Sequence, residues 1–82
     1  MAGLFRAIKR VMSGEVIRRI DTKIMGGACT VSLRLKQDKG STNRYVVMAG
    51  LARGNYQYYA FEPAEFEQFA QAIQELRALL HA

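Results

Sequence analysis

The stretch that decides the fold is EVIRRIDTKIMGGACTVSLRLK, residues 15–36. On both sides of Gly26 and Gly27 the apolar residues alternate with polar ones, which is typical of β-strands with one buried face. A tight two-residue turn at these glycines, with the positive φ that glycine tolerates, pairs Met25 with Ala28, Lys23 with Thr30 and Arg19 with Arg34. The stretch therefore predicts an antiparallel hairpin.

This pairing sorts the side chains of the hairpin onto two faces of different chemistry. One face collects Val16, Ile20, Ile24, Cys29, Val31, Leu33 and Leu35, with Arg18 and Thr22 as polar exceptions. The other face collects Arg19, Asp21, Lys23, Thr30, Ser32, Arg34 and Lys36. Because both strands send their polar residues to the same side under one turn assumption, each alternation supports the other.

Two further strands and a helix follow the hairpin. The polar stretch QDKGSTN, residues 37–43, predicts a loop, and residues 44–52 and 55–61 predict the third and fourth strands. After Phe61 the apolar spacing changes to three and four, which predicts a helix from Pro63 to about Leu80. The predicted fold class is α+β, a curved four-stranded antiparallel meander followed by one C-terminal helix.

Residues 1–14, MAGLFRAIKRVMSG, form a short basic amphipathic segment ahead of a single ββββα domain at residues 15–82. The favoured interpretation is a short N-terminal helix with its apolar residues on one side: Leu4, Phe5, Ile8, Val11 and Met12. Two alternatives stay open. The segment has the composition of a mitochondrial presequence, and a helix of this kind can also lie weakly on a lipid surface.

Length and composition exclude several classes of protein. The chain has 82 residues and a formal net charge of +5, so it has room for one core and not for a two-domain enzyme. It contains no apolar run of the length of a spanning helix and no secretory signal, so we expect a soluble intracellular protein of the cytoplasm, nucleoid or nucleus, with the mitochondrion as an open alternative. Its one cysteine, Cys29, cannot form an internal disulfide, and we expect no metal and no cofactor.

The positive charge is concentrated in the first half of the chain. Residues 1–44 carry ten basic and three acidic residues, whereas residues 45–82 carry two and four. Alternation puts Tyr45, Tyr56 and Tyr58 on one face of strands three and four. Phe61 lies on the other face, and because it directly precedes the helix we expect that face to point inward under the helix. The three tyrosines then point outward with the basic residues. Basic side chains that contact phosphates, together with aromatic side chains that stack on bases, are typical of proteins that bind single strands without sequence preference. The candidate nucleic-acid-binding residues are Arg19, Lys23, Arg34, Lys36, Tyr45, Tyr56 and Tyr58.

The partners predicted from these residues are single-stranded DNA or RNA, between which the sequence does not choose. We expect no small-molecule substrate and no membrane partner. Catalysis is not expected either, because the only histidine, His81, is next to the C-terminus and no nucleophile has an evident base. The alternative is an assembly module without a nucleic-acid role, which dimerises through the apolar face of strands three and four, around Val47, Ala49 and Leu51.

The closing segment resembles known single-strand-binding domains. Tyr59 and Phe61 alternate before Glu62, Pro63, Glu65, Phe66, Phe69 and Ile73, a pattern similar to the last strand and helix of positive-cofactor-type coactivator domains. Arg-Ile-Asp at 19–21 and Leu-Lys-Gln at 35–37 are similar to Pur-type repeats, and the plan of four strands and one helix is shared with Whirly domains.

This resemblance covers about residues 15–80 and consists mostly of fold-determining hydrophobic residues. It implies a homodimer, or paired repeats, that binds single-stranded DNA or RNA across the sheets. The third strand, YVVMAGL, is more apolar than the binding faces of those families, and the chain has one unit rather than two in tandem. The analogy therefore requires dimerisation.

Overall fold

A computed structural model describes residues 2–82, apart from the side chains of Ala2 and Phe5. Its elements are α1 (Ala2–Met12), β1 (Glu15–Ile24), β2 (Cys29–Gln37), β3 (Arg44–Ala52), β4 (Asn55–Phe61) and α2 (Pro63–Leu80). The four strands form one open antiparallel sheet in the order β1-β2-β3-β4. The predicted α+β meander between two helices is thereby confirmed, while the part of the N-terminal segment at Met1 lies outside the described residues.

The register of the first hairpin is the one predicted from its glycines. Lys23 pairs with Thr30 and Arg19 with Arg34. The predicted two-residue turn with Met25 opposite Ala28 is wrong. The last strand pair is Ile24 with Cys29, so the turn is wider, and φ is positive at Met25 (54°) as well as at Gly26 and Gly27. The left-handed conformation of these two glycines lets the chain reverse without moving the pairing.

A β-bulge in β1 corrects the predicted sorting of one residue. The register shifts between Val16 and Arg18, so Val16 opposes Lys36 and Arg18 opposes Leu35. The prediction that Val16 shares a face with Leu35 is wrong, because the extra residue, Ile17, interrupts the alternation. A strict period of two residues cannot anticipate such an insertion.

Cross-strand pairing defines the two faces of the sheet, since directly paired residues point the same way. We call one the basic face; it consists of the rows Val16–Lys36–Tyr45, Arg19–Arg34–Val47–Ala60, Asp21–Ser32–Ala49–Tyr58 and Lys23–Thr30–Leu51–Tyr56. The opposite one, the apolar face, carries Ile20, Ile24, Val31, Leu33, Leu35, Val46, Met48, Tyr59 and Phe61. All seven candidate residues lie on the basic face, as the alternation predicts.

The C-terminal helix packs on the apolar face, as predicted from Phe61. The Phe61 ring lies 5.1 Å from that of Phe69 and 5.9 Å from that of Phe66, between ring centres. At the helix start the Glu65 carboxylate accepts a hydrogen bond from the Glu62 N–H at 2.8 Å, which satisfies one of the free amides there. Beyond Ala70 every residue of α2 is exposed. The helix therefore covers the sheet only with its first half.

The N-terminal helix packs on the other side, against the basic face. The fully buried apolar residues of the described chain, Tyr45, Val47 and Ala49, all lie on that face. The prediction that this face of β3 points outward is therefore wrong, because sequence alternation alone could not tell which side α1 would cover. Within residues 2–82, neither helix is both long and apolar enough to cross a membrane.

Candidate functional site

The candidate site is the part of the basic face that α1 leaves uncovered. It holds three cationic residues and two tyrosines, and we call these the open part: Arg19, Lys23, Arg34, Tyr56 and Tyr58. The tyrosine rings are well exposed, Tyr56 at 62% and Tyr58 at 43%. Strands β1, β2 and β4 supply these residues, and on β3, between β2 and β4, the neighbouring Val47 and Ala49 are buried.

A polar network orders the centre of the open part. The Arg34 guanidinium donates a hydrogen bond from Nε to the Ser32 hydroxyl at 3.2 Å and lies 5.9 Å from the centre of the Tyr58 ring. Ser32 itself is fully buried. Since a guanidinium held near a tyrosine ring presents a cation close to a surface on which bases can stack, this pair can bind a phosphate and a base together.

Arg19 is paired with a carboxylate within the same face. Its Nε donates to Asp21 Oδ1 at 2.9 Å. That hydrogen bond is the main cause that raises the pKa of Arg19 and lowers the pKa of Asp21, and the Ser32 hydroxyl lowers the pKa of Asp21 further. Asp21 thus neutralises part of the positive charge of the open part.

The sixth candidate, Lys36, is covered. Its side chain is 7% exposed, and its ammonium donates to the carbonyl oxygens of Val11 at 3.0 Å and Arg10 at 3.2 Å. These are carbonyls at the C-terminal end of α1, where a cation is favourable. Burial lowers the pKa of Lys36, and the nearby positive charge of Arg34 lowers it further.

The seventh candidate, Tyr45, lies beside Lys36 under the same helix and is 1% exposed. Its hydroxyl donates to the Ser13 carbonyl oxygen at 3.0 Å. Burial raises the pKa of Tyr45. The expectation that Lys36 and Tyr45 are exposed with the other five residues is therefore wrong, although the expectation of a shared face is confirmed.

Arg10 of α1 makes contacts that the sequence did not predict. Its guanidinium carbon lies 4.3 Å from the centre of the Tyr45 ring, and its nitrogens form ion pairs with Asp38 at 3.4 Å and Glu62 at 3.1 Å. Asp38 follows β2 and Glu62 precedes α2, so one side chain joins three elements. Nothing in the local sequence distinguishes Arg10 from Arg6, because only the docking of α1 selects one of them.

Beside α1 the surface is strongly basic. A cleft of about 630 Å³ between α1 and the β2–β3 loop is lined by Arg6, Lys9, Arg10 and Lys39, and Asp38 is its only acidic residue. An excess of positive charge in a cleft raises the local concentration of anions.

Family models, curated proteins and solved structures give no match to this chain. The resemblance to Pur-type, Whirly and coactivator domains therefore stays a prediction. In the part of the chain that the structure describes, no three His, Cys, Asp or Glu side chains are grouped to hold a metal ion.

Proposed function

We propose that this protein binds single-stranded nucleic acid, DNA or RNA, without strong sequence preference and as a homodimer. The observation that carries the proposal is the open part, where Arg34 lies against the exposed Tyr58 ring with Arg19, Lys23 and Tyr56 on the same face. Cations there would contact phosphates and the two rings would stack on bases. Duplex DNA would bind less well, because its bases are already stacked on one another.

The test compares Tyr58→Ala with Tyr59→Ala. Tyr59 is a neighbour of similar exposure, 49%, on the opposite face of the same strand, so it controls for the loss of a surface ring. Fluorescence anisotropy of a labelled single strand of about 20 nucleotides measures the affinity, since stacking contributes about 1–3 kcal/mol per base in such sites. We expect Tyr58→Ala to weaken binding tenfold or more, which is about 1.4 kcal/mol, and Tyr59→Ala to leave it unchanged.

Salt dependence gives a second readout in the same assay. Three phosphate contacts predict that the logarithm of the affinity falls against the logarithm of the salt concentration with a slope of about −2. Equal loss in both tyrosine variants, or preference for duplex over single strand, would contradict the proposal.

The homodimer is supported by surface area. The chain exposes 6623 Å², whereas a compact monomer of 9.2 kDa exposes about 4,900 Å². The excess is larger than the roughly 800 Å² that each partner buries in a standard interface. A second copy that covers this excess would bring the accessible surface near the value for compact proteins.

Two elements expose a group of large apolar side chains. On α2 the second half exposes four large apolar residues, and on β1 three isoleucines are exposed: Ile73, Leu76, Leu79, Leu80, Ile17, Ile20 and Ile24. We propose that the second half of α2 of one copy covers the apolar face of β1 and β2 of the other. Val47 and Ala49, expected as a subunit contact in the assembly-module alternative, are buried inside the chain and are not available for it.

An assembly module without a nucleic-acid role is the second candidate function, and the same exposed apolar surface supports it. The two functions differ in the anisotropy assay. A pure assembly module would dimerise and would bind no single strand at low salt.

A further inference from the structure

We infer that α1 is a displaceable cover on the basic face, and that Lys36 and Tyr45 beneath it extend the surface that binds the single strand. This inference rests on the proposed function. It concerns a part of the face that is closed in the free protein and adds two residues to the binding surface when α1 moves.

The covered residues continue the open part without a gap. Lys36 is two residues from Arg34 on β2, on the same face and therefore about 7 Å away. Tyr45 pairs directly with Lys36. The two residues thus repeat the combination of a cation beside a tyrosine ring that Arg34 and Tyr58 form in the open part.

The contacts that hold α1 are ones for which a polyanion can compete. Among the described residues Lys36 has no carboxylate within salt-bridge distance, and its ammonium is satisfied by carbonyl oxygens alone. A phosphate gives charge-assisted hydrogen bonds, which are stronger than hydrogen bonds to a neutral carbonyl. A single strand therefore has a higher affinity for the uncovered state than for the covered one, which is the condition for shifting the equilibrium.

Most of the larger apolar side chains described on α1 face water. Leu4, Ile8 and Met12 are exposed, and the half-buried apolar positions among the described side chains are the smaller Ala7 and Val11. Hydrophobic stabilisation scales with the apolar area removed from water, so the three exposed side chains contribute little to docking. Three polar groups also hold α1 on the sheet, namely Lys36, Tyr45 and Arg10.

Arg10→Gln in the full chain separates this inference from simple electrostatics. The substitution removes the ion pairs to Asp38 and Glu62 and the contact with Tyr45, so it loosens the cover. Arg6→Gln removes the same charge from an exposed position of the same helix and serves as the control. Loss of a cation alone weakens binding of a polyanion. We expect Arg6→Gln to weaken binding slightly and Arg10→Gln to strengthen it by about threefold to tenfold, because more of the protein is binding-competent.

A second measurement needs no variant. Hydrogen exchange of the backbone amides of α1 is followed in the wild-type protein with and without the single strand of about 20 nucleotides. We expect faster exchange in residues 6–12 when the strand is bound, and slower exchange in β2 and β3 near Lys36 and Tyr45. This readout remains valid if Arg10→Gln does not fold.

The outcomes are distinct. In one outcome the wild-type protein binds the strand, Arg10→Gln binds as weakly as Arg6→Gln, and the α1 amides stay protected. The inference that α1 is displaceable is then overturned, and the proposed function stands. If neither the wild-type protein nor Arg10→Gln binds single strands at low salt, both proposals are overturned. Faster exchange of α1 together with tighter binding by Arg10→Gln supports both.

Discussion

The ammonium of Lys36 lies 3.0 Å from the carbonyl oxygen of Val11, and this hydrogen bond ties the sheet to the end of the N-terminal helix. A lysine of the basic face is thus a helix cap in the free protein rather than an exposed ligand for anions. Burial of the ammonium disfavours its charged form in the folded protein, and this lowers the pKa of Lys36. The stability of the protein should therefore depend on pH in the alkaline range.

Lys36→Met should abolish a rise in stability that the wild-type protein shows as the pH increases toward 10.5. Because the folded-state pKa lies below the ordinary value of 10.5, the folded protein binds fewer protons than the unfolded chain in this interval, and stability increases with pH there. Urea unfolding at a series of pH values measures the free energy. Equal pH dependence of the two proteins would contradict the assignment of the rise to Lys36.

Tyr45→Phe should act with the opposite sign above pH 10.0. Burial raises the pKa of Tyr45 in the folded protein, so the stability it contributes is complete below 10.0 and is lost as the pH rises through the folded value. The phenylalanine variant should lack this alkaline loss. It should also lose about 1 kcal/mol at neutral pH, since the hydrogen bond to the Ser13 carbonyl is missing. An unchanged alkaline limb in the same urea series would disprove the prediction.

Gly14→Ala should destabilise the docked helix by about 2 kcal/mol or more, because alanine is strained at positive φ and its Cβ has no space. Gly14 has a φ of 80°, and a Cβ there would overlap the Tyr45 hydroxyl and lie 3.0 Å from the Gln37 carbonyl oxygen. The control is Gly3→Ala, a helical position with no atom within 4 Å of the added carbon. Alanine there should gain up to about 1 kcal/mol in helix propensity. Urea unfolding measures the stability of both variants. An unchanged free energy of unfolding for Gly14→Ala would contradict the backbone conformation described between α1 and β1.

Asp21→Asn should strengthen the binding of single strands. The substitution frees Arg19 from its 2.9 Å ion pair and removes a negative charge from the open part. Glu67→Gln makes the same change of charge on an exposed residue of α2 and serves as the control. Anisotropy titrations at two salt concentrations should give a steeper salt dependence for Asp21→Asn alone, since one further cation is available to phosphates. The same gain in both variants would mean that net charge matters and the position of Arg19 does not.

Leu76→Glu should convert the proposed homodimer to a monomer. A carboxylate in the centre of a buried apolar interface is costly unless it is paired. Leu4→Glu changes a leucine of similar exposure on α1, away from the proposed interface, and should leave the dimer intact. Sedimentation equilibrium gives the mass of each variant. A dimer that survives Leu76→Glu and dissociates with Leu4→Glu would move the interface from α2 to α1.

Much of the fold follows from the sequence because its signals are local. The two glycines and the alternation around them fix the register of the hairpin, and the bounds of β3, β4 and α2 agree with the predicted ones. The common face of the seven candidate residues follows from a period of two residues, which is a property of every β-strand. The bulge at Ile17 is the exception, since an inserted residue leaves no mark in the alternation.

The sequence by itself determined the order of the elements, the pairing of the strands and which residues share a face, because backbone geometry sets all three over short distances. Only the tertiary structure decided which part of the basic face remains open. The docking of α1 through Arg10, Lys36 and Tyr45 joins residues 25 or more positions apart, and a cation or tyrosine has the same local sequence pattern whether it contacts water or a helix end. Burial is settled by what packs on a face, and that information is not local.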